Sequence, residues 1–509
     1  MSVRLSKLPW PEIAILVAAL FLRVWLIEVK PPHFDEGVNG WFADRMTETG
    51  YYAYDPTNYH GPLHFYAVFL SQTLFGRELW ALRLPAIVAS LLCVWAMLRF
   101  REFFGPTVAR LAALAMAISP AYVFYGRYSI HESWQVLFCI LLLQSILGLW
   151  RDGGRRWLYL AVGSIVGLIL TKETYVLHIG CFLLAIPVLW LWQKVMPSRP
   201  DLPVAKGLWT RSDAAVASGL GVLAIVAFYS GFFHEFRRLA GLYETFSAWF
   251  ETGAKANGHD KPGYDIVGPL NWYWVALMLR YEWPALAGLA ACVRYVFPSD
   301  VRLRYVAIAA GGTLLAYSII SYKTPWCIIS MLWPFYIVGA AAAVEGAERC
   351  ARPILAWAAA LPLLAGSLIS SAWLNFRNYT DDREPYVYVQ TYKDIERFTG
   401  PLLAAAKADP RIYHTPGVIA LDSYYPLPWT LGDFTQIGYY KPDQEFPLRN
   451  AAFVVIDRSR EDAIEPAIPF PSIKRRFHLR SAQEECTVYF NRRYFKDFVP
   501  PGPVDATRR

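Results

Sequence analysis

Apolar residues occur in long blocks along this chain, with short polar stretches between them. Each block contains roughly 15 to 23 residues, which is close to the length a helix needs to cross a bilayer. About eleven membrane helices are therefore predicted. They cover residues 11–29, 79–98, 107–126, 132–150, 157–171, 174–193, 213–233, 271–293, 303–320, 326–347 and 353–373.

One further apolar stretch, His60–Gly76, is short for a bilayer core about 30 Å thick and carries His64 and Gln72. If it does not cross, the arginine-rich loops all fall on one side, which the positive-inside rule assigns to the cytoplasm. We therefore expect an amphipathic helix along the outer surface. The N terminus is then inside and the C-terminal region outside. The arginines of those loops include Arg99, Arg101, Arg151, Arg155, Arg156, Arg294, Arg302 and Arg304.

The pattern changes after residue 373. Gly417–Asp422 and Ala451–Asp457 are predicted as short buried strands, and Tyr388–Ala408 as one or two helices. The expected fold class is an α-helical polytopic membrane protein with a long first external loop, followed by a small exported α/β domain. The predicted domains are residues 1–373 and 374–509.

Composition agrees with a membrane protein. The chain has 509 residues, of which 55% are apolar and only 18% charged, whereas soluble domains have about 25% charged residues. The net charge of +8 comes mostly from arginines between the apolar blocks. Because that pattern is topological, we expect a bilayer and no nucleic acid as partner. Cys486 is the one cysteine of the C-terminal region, so no disulfide is expected within that region.

Ionisable residues recur on the predicted outer side. Asp35 and Glu36 follow the first span in "PPHFDEGVNGW". Charged groups near bilayer depth are costly unless they pair or line a polar cavity, which makes these residues candidates for function. The others are Arg127, His131 and Glu132 in "GRYSIHESW", Lys172 and Glu173 in "LTKETY", and Lys323 in "SYKTPW".

The acidic and the basic residues suggest two different chemical roles. The two carboxylates could take a proton from an acceptor hydroxyl, and Arg127, Lys172 and Lys323 could hold a lipid-linked phosphate as it leaves. Structural roles stay open: the lysines could extend to the headgroups, and Arg127 could close its loop by pairing with Glu132. No cofactor is required by this chemistry. A divalent metal held by the acids with His33, His60 and His131 is an alternative, although no pair has diagnostic ligand spacing.

The stretch "HFDEGVNGWFADRMTETGYYAYDPTNYHGPLHFY" resembles the first external loop of the glycosyltransferase-C superfamily of membrane enzymes. It is most similar to the protein O-mannosyltransferase and aminoarabinose-transferase-like branch. Within that branch it resembles the archaeal and bacterial group described as flippase-activity-associated proteins. The shared motifs lie at Asp35–Glu36, Tyr59–Pro62, Arg127–Glu132, Thr171–Glu173 and Tyr322–Trp326.

This resemblance implies juxtamembrane helices in the first external loop. It also implies an inverting transfer of a sugar from a polyprenyl-phosphate donor, on the external face of the plasma membrane, with Asp35 as base and Glu36 beside it. Arg127, Lys172 and Lys323 would contact the donor phosphate. The chain has "HGP" where protein mannosyltransferases have "HPP", and it lacks their β-trefoil module, so the acceptor stays open: glycan, lipid or protein. The supporting residues would be Tyr59, His60, His131, Glu132, Glu173 and Tyr322.

Two other classes of function remain. The first is a flippase or transport accessory protein for lipid-linked glycans, without catalysis. A flippase needs a polar path to both faces, and the predicted inner loops offer few carboxylates. The second is an inactive scaffold that binds glycolipids. Within the C-terminal region, the aromatic loop Ser423–Phe434 is predicted either to stack on sugar rings or cover the sugar site, or to pack the C-terminal domain against the membrane part.

Overall fold

The computed structural model describes residues 9–58, 60–197, 207–254 and 272–495. These residues form two compact units. The first unit contains residues 9–27 and 46–378, and the second contains residues 28–45 and 379–495. The second unit therefore includes a segment from the first external loop as well as the C-terminal region.

The described part of the chain up to residue 376 is mostly helical. All of the predicted membrane segments are helical, which confirms the expected fold class. The helices are α1 (Trp10–Val24), α2 (Phe34–Thr49), α3 (Leu63–Phe75), α4 (Leu79–Arg99), α5 (Arg101–Phe104), α6 (Pro106–Ile118), α7 (Pro120–Tyr125), α8 (Glu132–Arg151), α9 (Arg155–Ile169), α10 (Tyr175–Val195), α11 (Arg211–Tyr229), α12 (Gly241–Ala254), α13 (Tyr273–Tyr281), α14 (Trp283–Ala291), α15 (Val301–Ile319), α16 (Ile329–Arg349) and α17 (Pro353–Phe376).

Six helical stretches in the described residues are long and apolar enough to cross a bilayer on their own. The remaining predicted spans are helices that are shorter or, like α15, less apolar, or pairs of helices that meet at a break. The six stretches are Leu79–Phe104, Glu132–Arg151, Tyr175–Val195, Arg211–Tyr229, Pro325–Arg349 and Trp357–Phe376.

Two predicted spans are interrupted, and one buried carboxylate joins the two interruptions. Residues 107–126 form α6 and α7, which meet at Ser119, and residues 271–293 form α13 and α14, which meet at Glu282. Glu282 accepts hydrogen bonds from the Ser119 hydroxyl (2.7 Å), the Ala121 amide (2.8 Å) and the Tyr336 hydroxyl (2.9 Å). Backbone groups at a helix break must be satisfied within the protein when the surroundings are apolar, and Glu282 satisfies the amide at the start of α7.

The ambiguous stretch His60–Gly76 contains α3, a helix of 13 residues. At 1.5 Å per residue it rises about 20 Å, which is short for a bilayer core of about 30 Å. The predicted helix is confirmed, and its predicted place along the outer membrane surface stays a prediction. His64, Phe65 and Val68 are buried on one of its faces.

The second unit has a five-stranded sheet, which confirms the small α/β module. Its order is β2-β1-β3-β5-β4; β1 is parallel to β2 and β3, and β5 is antiparallel to β3 and β4. Both strands predicted from the sequence are present as β1 and β3. The strands are β1 (Gly417–Ala420), β2 (Ile437–Tyr440), β3 (Phe453–Asp457), β4 (Ser472–His478) and β5 (Glu485–Asn491), and the helices are α18 (Glu396–Ala408), α19 (Leu427–Thr430) and α20 (Glu461–Ile464).

All four residues of β1 are buried, because both faces of the sheet are covered. One face carries Ile419 and Val455 and packs with Phe398 and Leu402 of α18. The other face carries Val418. It packs with Phe446 from the connection before β3 and with Ile468 from the connection after it. Within the predicted helical stretch Tyr388–Ala408, residues Glu396–Ala408 form α18, and a 3-10 turn at Lys393–Ile395 precedes it.

Candidate functional site

The acidic pair lies in the first turn of α2, where its two carboxylates have different roles. Glu36 is fully buried, and its Oε2 accepts the backbone N–H of His33 at 2.9 Å. A carboxylate three residues into a helix that accepts the amide preceding the helix is one half of a capping box. Glu36 therefore stabilises the start of α2.

His33 supplies the other half of this cap. Its Nδ1 accepts the amide N–H of Asp35 at 3.1 Å, so the proton of the neutral ring is on Nε2, which donates to the Tyr388 carbonyl at 2.7 Å. Burial lowers the pKa of His33, although the nearby Asp35 carboxylate opposes this shift. At neutral pH the ring is uncharged, so its 3.7 Å approach to Asp35 is not an ion pair.

Asp35 keeps a carboxylate that solvent can reach. Its side chain is 33% exposed, whereas that of His33 is fully buried. Of the two predicted acids, Asp35 is therefore the one whose carboxylate is accessible from solvent.

Most of the other predicted residues belong to the first unit, where two sequence motifs meet along the backbone. His60 and Lys172 form an antiparallel bridge. The Gly61 amide donates to Thr171 (3.0 Å), and the Leu63 amide to Leu170 (2.9 Å). A Cβ atom at Gly61 would overlap the backbone of Leu170. The glycine of "HGP" is therefore needed for the close approach of the "TKE" loop.

Two charged contacts form around this bridge. The Nζ of Lys172 donates to Glu132 Oε1 at 2.6 Å, and both side chains are less than 10% exposed. Burial by itself would lower the pKa of Lys172, but the Glu132 carboxylate raises it well above its usual value. His60 Nδ1 lies 3.1 Å from Glu173 Oε2 and donates to it. The structure thus brings together residues from three separate motifs.

Three histidines pack beside these pairs. The ring of His131 lies 4.6 Å from that of His60 and 4.7 Å from that of His64. Burial, together with His60, His64 and Lys172, lowers the pKa of His131 well below its usual value, so this ring is neutral. Its Nε2 is buried without a hydrogen-bond partner among the described residues. His64 was not among the predicted site residues; its place four residues after His60, within the predicted helix His60–Gly76, was the available signal.

Arg127 and Lys323, the other two predicted phosphate ligands, make contacts elsewhere. The Arg127 guanidinium is fully buried and donates to the carbonyls of Leu22 (3.0 Å) and Leu26 (2.6 Å) at the end of α1. Lys323 donates to the carbonyls of Ser318 (3.1 Å) and Ile320 at the end of α15. Burial lowers the pKa of Lys323 to about 8. Both residues thus stabilise helix ends, and their predicted binding of phosphate is untested.

Tyr59 and Tyr322 are the remaining predicted supporting residues. Tyr59 lies outside the described residues, and Tyr322 is half-buried in the loop before Lys323. Within residues 9–58, 60–197, 207–254 and 272–495, no three His, Cys, Asp or Glu side chains are arranged to hold a metal ion.

Similarities to known proteins were found at the level of one family model and of the fold. Residues 59–199 match the model of the dolichyl-phosphate-mannose-protein mannosyltransferase family. No curated protein sequence matches the chain significantly. The crystal structure of ArnT from Cupriavidus metallidurans in the apo state is similar over 94% of this chain and 96% of that protein, with 16% identity and a TM-score of 0.59.

Two more solved structures are similar. ArnT from Cupriavidus metallidurans bound to undecaprenyl phosphate matches over 94% of this chain and 97% of that protein, with 15% identity and a TM-score of 0.55. The Archaeoglobus fulgidus oligosaccharyltransferase, tethered to an acceptor peptide containing the NVT sequon, matches over 90% of this chain and 70% of that protein, with 13% identity and a TM-score of 0.53. These matches confirm the resemblance that the motifs indicated. The narrower flippase-associated grouping stays a prediction.

Proposed function

We propose that this protein, which has the fold of the glycosyltransferase-C membrane enzymes, catalyses an inverting transfer of a sugar. The donor is a polyprenyl-phosphate sugar, and the acceptor is a hydroxyl group on the external face of the membrane. The family match over residues 59–199 and the undecaprenyl phosphate bound to ArnT support a lipid phosphate as carrier. Glycan, lipid and protein hydroxyls are all candidate acceptors.

In the proposed reaction, Asp35 accepts the proton of the acceptor hydroxyl. The hydroxyl oxygen then forms a bond to C1 of the sugar, on the side opposite the phosphate. The bond between C1 and the phosphate oxygen breaks, and polyprenyl phosphate leaves with the bonding electrons. A base placed in this way typically contributes on the order of 10²- to 10⁴-fold to the rate. Fixed cations stabilise the charge on the leaving phosphate, a role that we assign to Lys172 and Lys323.

The observation that carries the assignment of Asp35 is the contrast within the acidic pair. Glu36 is fully buried and holds the N-terminal amide of α2, whereas the Asp35 carboxylate is one-third exposed. A general base must come within hydrogen-bond distance of the proton it removes. An acceptor hydroxyl could reach the exposed Asp35 carboxylate while the cap of α2 stays intact.

The test is sugar transfer by purified full-length protein in liposomes that contain radiolabelled polyprenyl-phosphate sugars, with and without a metal chelator. Label that moves to an added acceptor supports the proposal, and the donors consumed identify the sugar. If labelled lipid instead crosses the bilayer with no acceptor modified, the protein is a transporter. If neither occurs with a full set of donors, the scaffold function remains. The chelator shows whether transfer depends on a metal ion.

Donor binding is expected to weaken at alkaline pH. Because burial lowers the pKa of Lys323 to about 8, this lysine is protonated below that pH and loses its charge above it. If Lys323 holds the donor phosphate, the KM for donor should rise roughly tenfold per pH unit above 8. Lys323→Arg keeps its charge throughout this range and should remove the rise. A KM that is flat from pH 7 to 10 in wild type would contradict this role.

A further inference from the structure

The start of the helix that carries Asp35 contacts residues that lie more than 350 positions later in the chain. Phe34 meets the ring of Tyr425 edge to face, with 5.5 Å between the centroids. The His33 ring donates to the Tyr388 carbonyl. The Gln390 side chain donates to the Pro31 carbonyl at 2.9 Å. These contacts fix the position of the segment leading into α2 and of the first residue of this helix.

Two glycines on one face of α2 allow a closer contact. Gly37 and Gly40 are three residues apart and share this face. A Cβ atom at Gly37 would overlap Pro426, and one at Gly40 would overlap the indole of Trp429. Helix α2 thus lies directly against the aromatic loop Ser423–Phe434. The aromatic loop follows β1 of the sheet, so the orientation of α2 is tied to the core of the second unit.

Arg480 fixes the aromatic loop itself. Its guanidinium donates to the Ser423 hydroxyl and carbonyl, both at 3.0 Å, and to the Tyr425 carbonyl at 3.1 Å. The same group lies over the ring of Phe34, 5.2 Å from its centroid, and its Nε donates to Glu484. One side chain therefore holds the loop and the first residue of α2 together.

We infer that the C-terminal region is a positioning element for Asp35: the aromatic loop and Arg480 set the direction in which α2 presents this carboxylate. This inference rests on the proposed function, in which Asp35 is the base. Proton removal depends steeply on geometry, and a displacement of about 1 Å can cost on the order of 100-fold in rate. Gly37, Gly40, Trp429 and Arg480 act through Asp35 and are positioning residues.

The test compares single-residue variants of the full-length protein in the liposome assay. Gly40→Ala adds one methyl group where the indole of Trp429 lies. We expect kcat to fall on the order of 10- to 100-fold, with the KM for donor unchanged. Gly400→Ala is the matched control, since Gly400 is a helical glycine of the same unit with open space at its Cβ position. The control should transfer sugar as wild type does.

A second variant weakens the hydrogen bonds between Arg480 and the aromatic loop without adding volume. Arg480→Lys loses the planar set of donors to Ser423 and Tyr425 and should lower kcat while leaving the KM for donor unchanged. Arg411→Lys is its control, because Arg411 is exposed and pairs with Asp409. The double variant Gly40→Ala with Trp429→Leu makes room for the methyl group. It should lose less activity than the product of the two single losses, because the two sites are in contact.

The outcomes separate the two proposals. If wild type transfers sugar, and Gly40→Ala and Arg480→Lys fold but keep the wild-type kcat, the positioning inference is wrong and the proposed function stands. An equal rise in KM for donor in both variants would also overturn the inference, because it would indicate a binding defect. If wild type transfers no sugar from any donor, the proposed function fails and the inference fails with it.

Discussion

Asp35→Asn is expected to yield a folded protein that has lost roughly 10²- to 10⁴-fold in kcat. Asparagine has the same shape as aspartate but cannot accept the proton of the acceptor hydroxyl. The backbone amide of Asp35, which donates to His33, is unaffected by the change, so the cap of α2 should persist. The measurement is transfer from a labelled polyprenyl-phosphate sugar, together with a thermal unfolding curve in detergent.

The matched control is Glu36→Gln at the neighbouring position. The glutamine amide oxygen can still accept the His33 N–H that Glu36 accepts now. This variant should therefore retain transfer. If Asp35→Asn turns over normally, Asp35 is not the base. If Glu36→Gln is folded but inactive, the base would have to be assigned to Glu36 instead.

Lys172→Met is expected to cause the largest loss of stability. The change leaves the Glu132 carboxylate buried without the ammonium group that now lies 2.6 Å away. Removing one partner of a buried ion pair typically costs about 3–5 kcal/mol, because the remaining charge stays desolvated. We expect a lower unfolding temperature and a smaller yield of monodisperse protein in detergent.

The double variant Lys172→Met with Glu132→Gln separates stability from donor binding. Neutralising both partners should recover much of the lost stability, because no uncompensated charge remains. If Lys172 also binds the donor phosphate, this stable protein should still show a KM for donor raised at least roughly tenfold. A double variant with wild-type kinetics would show that the pair is structural. Lys194→Met, at an exposed position in α10, is the control for loss of a lysine.

Local features of the sequence were sufficient for the helical part of the fold. The length of an apolar block determines whether a helix can span a bilayer, and every predicted span is helical. The strands at Gly417 and Phe453 were predictable for a related reason: short runs of β-branched and other apolar residues favour buried strands. The breaks at Ser119 and Glu282 were not predicted, although Pro120 and Pro284, just after them, are residues that favour the start of a new helix. No local pattern shows that one carboxylate joins the two breaks.

Within the candidate site, the sequence identified residue types, and the tertiary structure decided their partners. Adjacent residues of a helix point about 100° apart, so Asp35 and Glu36 could not both face the same surroundings. Only the packing of α2 buries Glu36 and exposes Asp35. The pairing of Lys172 with Glu132 spans 40 positions and depends on the bridge between the "HGP" and "TKE" loops.

The sequence by itself determined a polytopic helical protein with a small C-terminal α/β module, because hydrophobic periodicity and block length are local properties. Only the tertiary structure decided that residues 28–45 pack with the C-terminal region. The contacts of Gly37 with Pro426 and of Gly40 with Trp429 join residues almost 400 positions apart. No local pattern encodes such a contact, since it forms only when the sheet of the second unit presents its aromatic loop to α2.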